Sequence, residues 1–252
     1  IRQQDGPVGT LADIVTTMTY EGTFQQVKTL VKRGFTTTFW YDYEEASSGD
    51  LNGDGITTQA NGNLVKTTHP AVTLPLPYTV EEKVWYNSNG QVTRFIDGEG
   101  FPDTYDYFAS GPQTGYLQKI TVAFGTLNYA TEFTYDTVGN VLTVKDPRLF
   151  TTSYFVNQLN EVVRVTPPIA NYQIEYVRDG NGNITDINTA WIDGDGSSYA
   201  GSPLTTTHGY SILNDVTSVV QEVVPGTITT SFVYDNNQNP DLLTWVPGVA
   251  HN

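Results

Sequence analysis

The chain has 252 residues, with 12 Lys and Arg against 27 Asp and Glu and a formal net charge of −15. A charge balance of this kind argues against nucleic-acid or anionic-membrane ligands, which are held by clustered basic residues. There is no Cys, which removes disulfides, thiolate metal sites and Cys nucleophiles, and the three His (His69, His208, His251) are too scattered for a His-rich metal centre. Thr occurs 37 times, Gly 23 and Tyr 16 against a single Met, a bias towards strands and turns and away from long helices. No window approaches the roughly 18 apolar residues of a membrane span.

In chain order, the first ambiguous stretch is Phe24, Val27, Leu30 and Val31, which lie at helical spacing beside Lys28, Lys32 and Arg33. The interval of 21 residues from Tyr20 to Tyr41 favours strands instead, with Gly34 as the turn. Thr37-Thr38-Phe39-Trp40-Tyr41-Asp42 is the first strict copy of a Thr-x-Phe-x-Tyr-Asp unit, and Thr131 to Asp136 and Thr230 to Asp235 are the others. Looser copies run from Glu82 to Asn87, Thr152 to Asn157 and Thr206 to Ser211. After each comes a Gly or Asn turn and an apolar step, as in Gly90-Gln91-Val92, Gly139-Asn140-Val141, Asn160-Glu161-Val162, Asn214-Asp215-Val216, and Gly182-Asn183-Ile184 after Tyr176. Alternation places Thr, Phe and Tyr on one sheet face, Asp accepts turn N–H groups, and Gly or Asn supplies the positive φ that reverses the chain. Asp146-Pro147 ends the strand that starts at Val141, because Pro cannot continue a paired central strand. Two short strands and two turns make a unit of about twenty residues, and Tyr86 to Tyr107 and Tyr135 to Val156 both span 21. Residues 1–252 thus read as a single all-β repeat domain with insertions near 44–60 and 186–204.

The run Tyr135-Asp136-Thr137-Val138-Gly139-Asn140-Val141-Leu142, with Asp146-Pro147 and the next aromatic strand at Ser153-Tyr154, resembles the tyrosine-aspartate (YD) repeat of the RHS and teneurin families. The resemblance implies antiparallel hairpins stacked into a spiralling, open-ended β-sheet. In large members such a sheet winds into a hollow shell that encloses a toxin or forms part of a surface adhesion module. Asp146-Pro147-Arg148-Leu149 lies mid-chain, away from the terminal position of the family's self-cleavage motif, so self-cleavage is not expected. About nine units are too few to enclose a domain-sized cavity and leave open strand edges, which are templates for pairing with another chain. Two arrangements follow: copies joining through sheet edges as a homo-oligomer, or a piece of a longer chain.

Candidate sites are few. The first insertion holds Asp50-Leu51-Asn52-Gly53-Asp54-Gly55-Ile56, the first half of a calcium loop, with side-chain oxygens from Asp50, Asn52 and Asp54 and the Ile56 carbonyl. Asn61 stands where the bidentate acid would be, so a calcium site and a solvated acidic turn both fit the spelling. Asp193-Gly194-Asp195-Gly196-Ser197 is a shorter version. Asp42, Asp136 and Asp235 recur at one place in the repeat and read as turn caps rather than as acid–base pairs. His208 occupies an aromatic strand slot, Asp179 to Asn183 reads as a turn, and Asn183-Ile184-Thr185 is a glycosylation sequon by spelling alone. The expectation is a non-catalytic structural protein, extracellular or at the bacterial cell surface, self-assembling through sheet edges into a filament or tube. Its alternatives are a segment of an RHS-like shell that encapsulates a toxin, and a calcium-dependent carbohydrate-binding module using Trp40, Trp85, Trp191 and Trp245.

Overall fold

The computed structural model describes residues 2–5, 14–72, 78–190, 203–223, 226–235 and 237–247. Among these, β1 (Arg2–Asp5) precedes nine hairpins. They are β2 (Ile14–Tyr20) with β3 (Val27–Lys32), β4 (Phe35–Tyr41) with β5 (Leu64–Thr68), β6 (Glu81–Tyr86) with β7 (Val92–Ile96), and β8 (Pro102–Tyr107) with β9 (Leu117–Val122). Next come β10 (Tyr129–Tyr135) with β11 (Val141–Lys145), and β12 (Thr151–Val156) with β13 (Val162–Thr166). The last three are β14 (Ile174–Arg178) with β15 (Ile184–Thr189), β16 (Leu204–Tyr210) with β17 (Val216–Glu222), and β18 (Thr227–Tyr234) with β19 (Pro240–Pro247). The helical spacing at Phe24 to Val31 gives way to strand β3, and Arg33 and Gly34 make the turn into β4 at φ 52° and 79°.

The chain divides into two compact units, Ile1–Ala109 with Leu117–Thr131, and Ser110–Tyr116 with Glu132–Asn252. Within each unit the strands pair antiparallel with their sequence neighbours, and among the described residues no ladder joins β1 to β9 or β10 to β19. The sheets are open meanders.

Every hairpin shares one irregularity. The register slips by one residue at the end of its first strand, at Tyr20, Tyr41, Tyr86, Tyr107, Tyr135, Val156, Arg178, Tyr210 and Tyr234. This is the bulge that follows from a type I turn closed by a left-handed residue. In eight tight turns a side-chain oxygen takes the N–H groups two and four residues on: Asn87, Asp136, Asn157, Asp179, Ser211 and Asp235 inside hairpins, Asp97 and Asp146 between them. The left-handed position falls three residues after the cap; Gly139 holds it at φ 101° and Leu149 at φ 71°.

Two residues before the bulge, pairs such as Met18/Leu30, Val84/Phe95 and Tyr105/Ile120 in the first unit, and Phe133/Val144, Tyr154/Val165 and Tyr176/Ile187 in the second, form an apolar face. One residue before it, the opposite face carries Thr19/Thr29, with hydroxyls 2.6 Å apart, Trp85/Arg94, Asp106/Lys119 and Phe155/Arg164. The bulge tyrosine returns to the apolar side, where its hydroxyl donates to the carbonyl that opens the second strand of the preceding hairpin. Tyr41 reaches Val27 at 2.7 Å, Tyr86 reaches Leu64 at 2.9 Å, Tyr107 reaches Val92 at 2.8 Å, Tyr210 reaches Ile184 at 2.8 Å and Tyr234 reaches Val216 at 2.9 Å. In the seventh hairpin Arg178, not Tyr176, stands at the bulge, and its guanidinium reaches the Val162 carbonyl at 3.5 Å.

Two results follow from this geometry. Tyr234→Phe leaves the Val216 carbonyl without its donor and is expected to lower unfolding free energy by about 1 kcal/mol in urea titrations. Leu149 is 72% exposed, so Leu149→Gly gives up little burial and relieves the positive φ; it is expected to raise stability by about 1 kcal/mol. Equal urea midpoints for this variant and the parent chain would contradict the turn geometry.

Candidate functional site

The sequence-predicted site lies in the loop of the second hairpin. Here the bulge is retained, with Tyr41 opposite Leu64, and the Asp42 N–H still donates to the Asn63 carbonyl at 2.9 Å. A tight turn is replaced by residues 42–63. Asp42 closes the base: fully buried, its carboxylate takes the N–H groups of Asn61 at 3.1 Å and Gly62 at 2.9 Å. Gly62 has φ 80°, and a Cβ there would sit 3.3 Å from the Phe24 ring, so the closure admits little else. Around this base lie Tyr41 and Val65, the described hydrophobic residues that are buried.

The basic cluster read from the sequence is partly consumed here. Lys28 pairs with Glu44 at 2.7 Å and lies 3.8 Å over the Trp40 ring, while Lys32 and Arg33 are exposed. Glu44 also takes the Tyr41 N–H at 2.9 Å and leads into the short helix α1 (Glu45–Ser48).

Beyond α1, the loop oxygens are turned onto the loop's own backbone. Asp50 takes N–H groups from Gly53, Asp54 and Gly55, Asn52 takes that of Asp54 at 3.0 Å, and Asp54 takes that of Ile56 at 2.7 Å. Asn52 is buried and its amide donates to the Val84 carbonyl at 2.8 Å, which pins the loop to β6. Sequence reading missed Glu45, which is 2% exposed and accepts the Leu51 N–H at 3.0 Å. A four-residue helix has no periodicity to betray it. Burial, with the charges of Asp54 and Asp50 added, raises the Glu45 carboxyl above its ordinary 4.5. Among the described residues no group of three or more His, Cys, Asp or Glu is gathered in metal-binding geometry; the set read from the sequence has two carboxylates, an amide and a carbonyl.

The other candidates resolve into structure. Asp136 and Asp235 cap turns as expected; the Asn140 side chain holds Asp136 below its ordinary 3.8, and the Asn239 N–H does the same for Asp235. The amide of Asn183 in the sequon donates to Asp179 at 2.9 Å and to Asn214 at 2.8 Å. His208 is half-buried opposite Val219, and His69 lies 3.2 Å from Glu82. Asp193 to Ser197, Trp191 and His251 lie outside the described residues, as does the side chain of Trp245.

These carboxylates give opposite pH signatures. Asp136, Asp179 and Asp235 have lowered folded-state values, so the stability they contribute is present above the ordinary value of 3.8 and is lost as pH falls through the lower folded one. Glu45 has a raised value, so stability falls as pH rises from 4.5 through the higher folded one. Glu45→Gln keeps an acceptor for Leu51 and is expected to raise the Tm at pH 7 and to lose that advantage below about pH 4. Scanning calorimetry from acid to neutral pH checks both signs.

No protein-family model matches the sequence, and no curated protein matches it. In fold the chain is similar to solved Tc toxin structures that contain RHS/YD-repeat shells. It superposes on the crystal structure of TcdB2-TccC3-Cdc42 with a TM-score of 0.69 at 10% identity, covering 100% of this chain and 14% of that one. Against TcdB2-TccC3 without its hypervariable C-terminal region the TM-score is 0.67 at 11% identity, covering 98% and 13%. Against the Photorhabdus luminescens Tc holotoxin pore it is 0.65 at 12% identity, covering 97% and 13%. The chain spans about a seventh of the length of those chains, and over that stretch it has the fold of a YD-repeat β-sheet.

Proposed function

We propose that the chain builds part of the wall of an RHS-type β-repeat shell, a structural and non-catalytic role in an extracellular toxin or surface assembly. The observation that carries this reading is the tyrosine rung. The second, third, fourth, eighth and ninth hairpins each dock on the one before through the same tyrosine–carbonyl contact, so a sheet lengthens without altering what is already built, as a shell wall must. Likeness in fold to the Tc toxin chains supports the same reading. No helix among the described residues is long and apolar enough to cross a membrane.

Filament assembly through the same sheet edges is the competing outcome. Size-exclusion chromatography with light scattering, followed by negative-stain electron microscopy, separates the two. A wall segment is expected to stay monodisperse over a hundredfold concentration range, whereas long regular fibres would replace this reading with the filament.

Calcium at Asp50, Asn52, Asp54 and the Ile56 carbonyl is a second element of the proposal. It is favoured by one observation: Asp50, Asn52 and Asp54 stand in one loop with the buried carboxyl of Glu45, and a divalent cation offsets like charge gathered in this way. Millimolar calcium is expected to raise the Tm by several degrees in the parent chain and not in Asp50→Asn. An unchanged Tm on adding calcium or chelator would leave the loop a hydrogen-bonded turn.

A further inference from the structure

A second candidate site lies on the polar face of the second unit, away from the insertion. Between β13 and β14 the chain cannot make the usual tight turn: Pro167 and Pro168 withhold N–H groups, and Asn171 at φ 60° turns the chain back. The resulting link stands at the rim of the sheet and closes one side of an open cavity of about 670 Å³, within the size range of small-molecule sites.

Register explains what lines it. Arg164 is opposite Glu175, and Glu175 is opposite Asn188, so these three share one face. Thr166 and Gln173, two residues from Arg164 and Glu175, share it as well. Thr166, Gln173, Glu175 and Asn188 therefore converge from three neighbouring strands and the adjoining link, and Tyr172 and Ile169 add apolar surface from the link. Few of these groups are spent. The Gln173 amide donates to one Glu175 oxygen at 3.2 Å, and Asn188 accepts from the Thr205 hydroxyl at 2.9 Å. That leaves carboxylate, amide and hydroxyl capacity facing the cavity.

The chemistry selects the ligand. No Lys or Arg lines the cavity among the described residues. Arg164, the one cation across from Glu175, lies 3.6 Å over the Phe155 ring on the β12 side. With that guanidinium engaged at the Phe155 ring and no cation among the described lining residues, the Glu175 carboxylate repels phosphates and other anions, and the polar walls disfavour a lipid. A carboxylate, two carboxamides and a hydroxyl beside a tyrosine ring match a neutral, hydroxyl-rich molecule that donates to Glu175 and lays a C–H face on Tyr172. We propose that this cavity is a binding site for a neutral saccharide unit, with Glu175 and Asn188 as its polar anchors and Tyr172 as its platform. The site is independent of the shell reading: a wall segment without a sugar site, or a sugar-binding chain that forms fibres, would separate the two.

Isothermal titration calorimetry of the full chain against glucose, galactose, N-acetylglucosamine and maltose tests the site. At least one is expected to bind with little dependence on salt, and Glu175→Gln and Tyr172→Ala are each expected to weaken it about tenfold or more. Tyr172 lies in the link, outside the strand ladders, so Tyr172→Ala keeps the test valid if the Glu175 variant loosens the sheet. No binding by any of the four sugars would overturn the proposal, as would affinity unchanged in both variants. Salt-sensitive binding of methylamine in place of the sugars would overturn it too, since Glu175 would then be a cation site.

Discussion

One hydrogen bond organises this protein, the tyrosine hydroxyl of one hairpin meeting a backbone carbonyl of the hairpin before. Antiparallel pairing satisfies the backbone within and between hairpins, but it does not fix how strongly the sheet twists or how closely the turn ends approach. The bulge does that by turning the last residue of the first strand onto the apolar side and aiming its ring along the sheet. A residue long enough to cross one inter-strand spacing and carrying a donor at its tip completes the contact. The turn caps serve the same end: by holding each reversal in one conformation, they place the bulge, and the bulge places the ring.

A one-layer sheet has little interior, and here Tyr41 and Val65 are the described hydrophobic residues that become buried. Both sit at the insertion, where a longer loop folds over its own hairpin and brings Asp42, Glu45 and Asn52 out of solvent. Elsewhere the apolar face is half-buried under neighbouring rings and aliphatic side chains. Stability in such an architecture is a sum of nearest-neighbour contacts rather than the property of a central core. The insertion departs from that rule, with buried polar groups satisfied one by one by the loop's own N–H groups.

Local chemistry made much of the fold legible. Thr131 to Asn140 spells a strand of period two, a cap and a left-handed glycine within ten residues, and each of those signals acts over a distance shorter than a turn. Three things escaped for a common reason. Arg178 stands where a tyrosine is expected and reads as an interruption, while Tyr176, two residues earlier, belongs to the aromatic row instead. Thr166, Glu175 and Asn188 have no meaningful spacing in sequence and become neighbours only when three strands pair in register. The role of Glu45 was hidden likewise, because nothing beside it in the chain signals that it will be buried. Identity near a tenth to chains of the same fold follows from the same economy: the repeat specifies a donor, a cap and a reversal, and leaves the remaining letters open.

Val156 takes the tyrosine's place in the sixth hairpin and brings no hydroxyl to it. Its strand β12 shares a ladder of three residue pairs with β11 of the hairpin before, and β13 shares two with β14, against four between β15 and β16 and five between β17 and β18. In a sheet whose cohesion is passed from hairpin to hairpin, these two short junctions, β11 with β12 and β13 with β14, form a seam where the second unit's strands part at least cost.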